Sequence, residues 1–334
     1  MTRKFLSAFI VFTVLGIGVV FWFVQGGKGE SRSVEIVKEE EPIRVLFVGD
    51  IMLSRYVGRE MERRNDYLYP FREVAEEIQK ADIAFGNLEG PISDRGSNQG
   101  SIYSFRADPR VVEGLAFAGF DVIGVANNHI WDWGRLALTD TMTLLKEKGI
   151  ETVGAGTNEA EANAPVIREV RDTKFAFLAY TGLYPKSLEA RGSSTGISHS
   201  QKEKIVAQIR QLDNEADVIV VSFHWGDEYQ AKANAAQKEL GRAAIDAGAD
   251  LVVGHHPHVV QEVERYPNPS NGSDGQGSSG WIAYSLGNFV FDQSFSEETM
   301  GGLAITAVIK DKKVVSLEEK QVIISRSFQP SFGE

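Results

Sequence analysis

Four apolar runs in this chain share one layout: an Asp, then a short apolar stretch, then a side chain able to bind a metal. Glu89 lies seven positions after Asp82, Asn128 seven after Asp121 with His129 beside it, and His224 seven after Asp217. His256 and His258 follow Asp250 by six and eight positions. The first apolar run, residues 43–49, likewise ends in a carboxylate, Asp50. Short apolar runs that alternate with helix-length segments read as buried parallel strands. The ligand-type residues are therefore expected together at the carboxyl edge of one sheet, where open α/β folds place their sites.

The chain has 334 residues, 43% of them hydrophobic and 24% charged, enough to bury a full core. A net charge of −11 without a basic stripe beyond the N-terminus argues against a nucleic-acid partner, because phosphate neutralisation needs clustered Lys and Arg. Cysteine is absent, which excludes disulfides, thiolate nucleophiles and Cys-based zinc sites.

Residues 5–24 are uncharged and apolar on every helical face, and at helical rise they span about 30 Å, the thickness of a hydrocarbon core. The run ends in Phe21-Trp22-Phe23-Val24-Gln25 rather than in a small-residue cleavage site, so an uncleaved anchor is expected within residues 1–25. Arg3 and Lys4 then stay in the cytoplasm and everything after Gln25 lies outside a bacterial cell membrane crossed once. Residues 26–42, rich in Gly, Ser, Glu and Lys, read as a stalk, residues 43–326 as the folded domain, and 327–334 as a tail.

Within the domain, helices are expected over 70–78, 108–119, 134–148, 198–214 and 234–247, interleaved with strands over 174–181, 218–223 and 250–254. Tyr266–Gly280 holds Pro, Asn, Ser and Gly and reads as an exposed loop. Beyond it, residues 281–291, 303–310 and 313–324 form alternating runs without a helix, as in an antiparallel sheet. Parallel strands first and antiparallel ones last suggest two sheets packed face to face with helices outside.

Imidazoles and carboxylates together suit Mn, Fe or Zn. Each residue alone has a plain structural use: a turn or cap for Asp50, Glu89 and Asn128, a hydrogen-bonded core residue for His199. Their convergence on one edge outweighs this, and His256-Pro257-His258 places two imidazoles on one side of an extended segment. Gly192-Ser193-Ser194-Thr195-Gly196 matches a nucleophile elbow, but no strand leads into it. Gly154-Ala155-Gly156-Thr157-Asn158 lacks the third glycine of a dinucleotide fingerprint and reads as a turn opening a helix.

The segments Val48-Gly49-Asp50-Ile51-Met52-Leu53, Gly86-Asn87-Leu88-Glu89-Gly90, Ala126-Asn127-Asn128-His129-Ile130-Trp131-Asp132-Trp133-Gly134, Phe223-His224-Trp225-Gly226-Asp227, Gly254-His255-His256-Pro257-His258 and Ser285-Leu286-Gly287-Asn288-Phe289 appear in this order. Over residues 43–293 the chain thereby resembles the CapA family of bacterial capsule and poly-gamma-glutamate synthesis proteins. That family looks like a branch of the calcineurin-like metallophosphoesterases. The resemblance implies an α/β fold, a four-layer α/β/β/α sandwich of the metallo-dependent phosphatase type, holding two metals. It implies that Asp50 binds the first metal, that Glu89 or Asn87 bridges, and that Asn128, His224 and His256 hold the second. His258 would return to the first metal, and His129, with Asp132, would form the catalytic group at the leaving atom. Two departures stand out: Met52 occupies a position where the phosphoesterase pattern has His, and Asn87 replaces the bridging Asp.

The expected protein is thus a membrane-anchored, extracytoplasmic component of capsule or poly-gamma-glutamate synthesis and export, carrying one or two divalent ions and acting hydrolytically on an anionic polymer. The alternative is a non-catalytic subunit that holds the polyanion or docks to membrane synthase subunits.

Overall fold

The computed structural model describes residues 41–267 and 279–333 and, ahead of them, the backbone of a short antiparallel pair, Thr13–Val14 with Ile17–Gly18. The rest of the 5–24 run, and with it the expected anchor, lies outside the described residues, as does the stalk before residue 41. Among the described residues no helix is long and apolar enough to cross a membrane.

From residue 43 the chain builds two large sheets, beside a two-stranded one that pairs Ala155–Gly156 with Gly196–Ile197. In the first, β1 (Ile43–Ile51), β2 (Ile83–Leu88), β3 (Val122–Gly124) and β4 (Glu151–Val153) run parallel in that order. In the second, β5 (Val166–Val170) pairs antiparallel with β6 (Thr173–Thr181), which continues in parallel through β7 (Val218–His224) and β8 (Leu251–His255). The hairpin β9 (Val263–Pro267) and β10 (Ser279–Ala283) closes that sheet, with β10 parallel to β8. The flanks of the expected loop 266–280 are thus strands; its centre, 268–278, lies outside the described residues.

The run at 281–291 is not one antiparallel strand. It divides after Ala283, giving β10 to the second sheet and β11 (Asn288–Val290) to the first, where β11 runs parallel to β1. Strands β12 (Gly301–Lys310) and β13 (Lys313–Ile324) are antiparallel as expected and extend the first sheet from β1. A last strand, β14 (Pro330–Phe332), pairs with β13, so the stretch read as a tail belongs to the sheet edge.

Strand alternation produces the layers. Ile43, Val45 and Phe47 of β1 meet Phe175, Phe177, Val218 and Val220 of the other sheet in a central core. Leu46 and Val48 turn outward to α1 (Arg55–Arg64), α2 (Ala75–Ile78), α3 (Val112–Ala118) and α4 (Gly134–Glu147). A small helix, α5 (Glu159–Asn163), is capped by Asn158, as the turn at 154–158 suggests. Ala176, Leu178, Ile219 and Val221 turn outward to α6 (Lys202–Leu212) and α7 (Ala235–Ala247). The order is helix, sheet, sheet, helix. Phe85 spans the central core, 5.7 Å from Phe47 and stacked 6.0 Å from Phe177, ring centre to ring centre. Truncating a ring of this kind to Ala costs about 3–5 kcal/mol.

Candidate metal centre

The ligand-type residues do not share the edge of one sheet. Asp50 and Glu89 leave the carboxyl ends of β1 and β2, whereas His224 and His255 leave those of β7 and β8 in the facing sheet. Close packing at the carboxyl end of β1 positions Asp50 for this convergence. A Cβ on Gly49 would sit 2.1 Å from the Gly287 carbonyl, so glycine lets the Asp50 amide reach that oxygen at 2.9 Å.

Asp50 is the hub. Its Oδ1 accepts from Asn87 Nδ2 at 2.8 Å and lies 3.4 Å from His255 Nδ1. Its Oδ2 accepts from the His256 amide at 3.1 Å and lies 3.5 Å from His258 Nδ1. Burial would raise this carboxyl, but the His255 and His258 rings outweigh it and hold Asp50 well below the usual carboxylate range.

Glu89 is the opposite case. Its side chain is fully buried, and neither carboxylate oxygen accepts a hydrogen bond. Its Oε1 lies 3.7 Å from His258 Nε2 and 3.8 Å from His129 Nε2. Burial pushes its carboxyl well above the usual range. Both ring nitrogens of His255 and Nδ1 of His256 are also buried without a hydrogen-bond partner. Buried polar atoms are normally satisfied, and a cluster of bare carboxylate and imidazole atoms is the donor set of a divalent transition ion. The residues therefore fit such an ion. Two groups have ligand atoms within 4.8 Å of one another: Asp50, Glu89 and His224, and Glu228, His256 and His258.

His256 and His258 do not lie on an extended segment. Their φ angles are +98° and +58°, so the chain turns sharply around Pro257. Left-handed backbone at a non-glycine residue is strained and clusters at functional sites. The turn still brings the two rings to 5.9 Å and sets His256 4.9 Å from His224. Burial, aided by the His258 ring, pushes His256 down to about 4, and burial, aided by the His256 ring, pushes His224 well below its ordinary value, so both imidazoles are neutral. For His258 burial acts downward, yet Glu89, Asp50 and Asn288 lift it to about 9. Asn288 Oδ1 lies 3.0 Å from His258 Nδ1.

Adjacent asparagines divide the work of the Asn-Asn-His segment. Asn127 shapes the turn, accepting from the His129 and Ile130 amides and donating to the Leu88 carbonyl at 2.8 Å. Asn128 Oδ1 contacts His224 Nε2 at 2.7 Å, and Asn87 Nδ2 contacts His224 Nδ1 at 3.3 Å. His129 stands to one side: Nδ1 contacts Asp132 Oδ2 at 2.8 Å, its ring stacks on Phe105 at 4.0 Å, and Nε2 faces Glu89. Asp132 Oδ2 also accepts from the Phe105 amide at 2.8 Å, which fixes the carboxylate.

The structure thus brings together Asp50, Glu89, Asn128, His224, His256 and His258, with His129 and Asp132 at the margin. Sequence reasoning missed His255, which stands beside His256 but inside the strand, and Glu228, which follows no apolar run. Asn288, in the quoted Leu-Gly-Asn-Phe segment, also went unassigned. His199 stays outside the cluster, bridged to Thr181. Met52 is fully buried in the outer core, where its sulfur accepts from the Ser54 amide and hydroxyl at 3.2 and 3.1 Å.

Residues 44–293 match the family described as bacterial capsule synthesis protein PGA_cap. The chain is 34% identical over 267 residues to the capsule biosynthesis protein CapA of Bacillus anthracis, covering 78% of this chain and 62% of that one. It is 32% identical over 296 residues to the PGA biosynthesis protein CapA of Bacillus subtilis (strain 168), covering 87% and 73%. Among solved structures it superposes on the NAD nucleotidase NadN of Haemophilus influenzae, with a TM-score of 0.51, 9% identity, and coverage of 88% of this chain and 60% of that one. It also superposes on a 5'-nucleotidase precursor of Thermus thermophilus, with a TM-score of 0.50, 11% identity, and coverage of 87% and 56%. At such identities these two likenesses concern the fold alone.

Proposed function

The chain belongs to the bacterial capsule synthesis protein PGA_cap family, and from that premise we propose that it is a metal-dependent hydrolase of capsule or poly-gamma-glutamate synthesis. Its substrate is an anionic polymer of the kind its relatives are named for. The 5–24 run anchors it in the cell membrane with the domain outside, within reach of membrane synthase subunits.

The observation that carries the metal is Glu89, a fully buried carboxylate with no hydrogen bond to either oxygen, set among Asp50, His258 and His129. Asp50, Glu89, Asn128, His224, His255, His256 and His258 would hold one or two ions of Mn, Fe or Zn. When bound, such an ion supplies Lewis-acid polarisation and a nucleophile at neutral pH.

The chain's own residues supply the proton. Asp132 accepts the Nδ1–H of His129, which leaves Nε2 directed into the site, where it takes up a second proton and then hands that proton to the leaving atom. Phe105, stacked on the ring and tied to Asp132 through its amide, keeps the imidazole from turning away. Neutral His224 and His256 present lone pairs rather than competing charges.

The test is hydrolysis of poly-gamma-glutamate and of a generic phosphodiester by the full-length protein in detergent with added Mn. Turnover of either that His129→Gln abolishes supports the reading. Equal rates in the two proteins refute it.

A further inference from the structure

Arg55, the first residue of α1, is held in a way that its structural contacts do not explain. Its φ is +52°, a left-handed conformation that side chains other than glycine rarely adopt. Its Nε lies 3.2 Å from Oδ2 of Asp292, whose side chain is fully buried. Its guanidinium carbon stands 5.4 Å from the centre of Phe105, the ring that stacks on His129, and 6.0 Å from the exposed Tyr103. The side chain is 32% exposed, and among the described residues its two Nη atoms donate no hydrogen bond.

These observations describe a guanidinium pinned through one nitrogen and one face, with its forked end open, one ring away from the proton-donating imidazole. An isolated surface arginine would sweep through many rotamers; here the buried Asp292 carboxylate and the Phe105 face restrict it. Arginine's planar fork matches a pair of anionic oxygens and loses little freedom when it is already fixed. The need for such a group follows from charge. The chain carries −11 overall, and Asp50 and Asp132 lie in the site, so a fixed cation at its margin favours the approach of an anionic substrate.

We propose that Arg55 is the substrate-anchoring residue of this site, binding a carboxylate or phosphoryl group that flanks the bond cleaved at His129. This inference rests on the reading of the site as one acting on an anionic polymer. Tyr103 on one side, and Tyr229 with Phe295 beside His258 on the other, offer exposed rings for the apolar parts of such a chain.

Binding without turnover separates this proposal from hydrolysis. Full-length protein in detergent and excess chelator, so that no metal contributes, is titrated with three probes. These are a gamma-linked glutamate decamer, its neutral carboxamide counterpart, and phenyl phosphate. Wild type should bind at least one anionic probe and not the neutral one. Arg55→Gly, which suits the left-handed backbone, should weaken that binding about tenfold or more, and Arg55→Lys, which keeps the charge and the Asp292 pair, by about three- to tenfold. Loss confined to the decamer assigns a carboxylate, loss confined to phenyl phosphate a phosphoryl group, and loss of both their shared anionic chemistry. If Arg55→Gly does not fold, the Arg55→Lys result decides. Wild-type affinity in a folded variant, equal binding of the neutral probe, or no binding by wild type overturns the proposal. Arg55-dependent binding in a protein that hydrolyses nothing sinks the hydrolase reading and leaves the anchor standing.

Discussion

Asp250 holds both backbone polar atoms of Ile219: its carboxylate accepts from the Ile219 amide at 2.8 Å, and its own amide donates to the Ile219 carbonyl at 2.9 Å. Asp82 does the same to Arg44, Asp121 to Ala84 and Asp217 to Lys174. Each Asp precedes a parallel strand and clamps the start of its neighbour, which fixes the register between them. Side chains about seven residues further on then emerge at matched heights. The repeated spacing in the sequence is a register device at one end of the strand and a ligand-type side chain at the other.

Asp250 also gives the fold a pH dependence. Burial pushes its carboxyl from the ordinary 3.8 up to about 6, so the folded state favours the protonated form. Its contribution to stability is fully present below about pH 4 and is lost as pH rises through 6. Asp250→Asn keeps an acceptor for the Ile219 amide and should remove this part of the decline. The check is the difference in melting temperature between the two proteins from pH 4 to 7, which should grow in favour of Asn as pH rises.

The His129–Asp132 pair predicts a separation of activity from metal content. Asp132→Asn can still accept from the Phe105 amide but no longer presents a carboxylate to His129 Nδ1. Turnover should fall by about 10²–10⁴-fold, the usual worth of a positioned acid, with metal content unchanged. Side-by-side kcat and metal analysis of the two proteins measures both.

Met52→His tests whether residue 52 could serve the metal. Its sulfur is engaged with Ser54 inside the apolar core, so an imidazole there buries a polar group without gaining a ligand. A loss of about 1–3 kcal/mol by chemical denaturation, with no added metal, is expected. A rise in bound metal would place residue 52 at the centre.

Metal affinity should depend on protons. His258 is lifted to about 9, and a ligand imidazole must give up its proton to bind. Affinity should therefore rise about tenfold per pH unit from pH 6 towards 9 for each proton displaced. Calorimetry with Mn across that range reads the slope, and a flat profile would remove His258 from the ligand set.

Much of this architecture was legible because buried parallel strands are continuous apolar runs, as at 218–223 and 250–254. What escaped had local physical causes. Helix α1 carries only Tyr56, Val57 and Met61 among polar residues, too few apolar positions to extend the i,i+4 pair Val57 and Met61 into a longer stripe. The run at 281–291 looks uniform, yet its halves belong to different sheets. Assigning every site residue to one edge failed because apolar pattern marks strand ends without saying which sheet a strand joins. The turn at His256-Pro257-His258 depends on left-handed backbone, which no side-chain pattern announces. His255 ends a strand among apolar residues, where a core imidazole and a ligand look the same.

The central claim is that the bare Glu89 carboxylate and the histidines around it hold a divalent ion. Mass-spectrometric metal counting on the full-length protein, with Glu89→Gln, His256→Ala and His199→Ala beside it, tests this most directly. At least one bound ion in wild type and His199→Ala, sharply depleted in Glu89→Gln and His256→Ala, is the predicted result. No bound ion in wild type after incubation with Mn, Fe or Zn, or the same content in all four proteins, would contradict it.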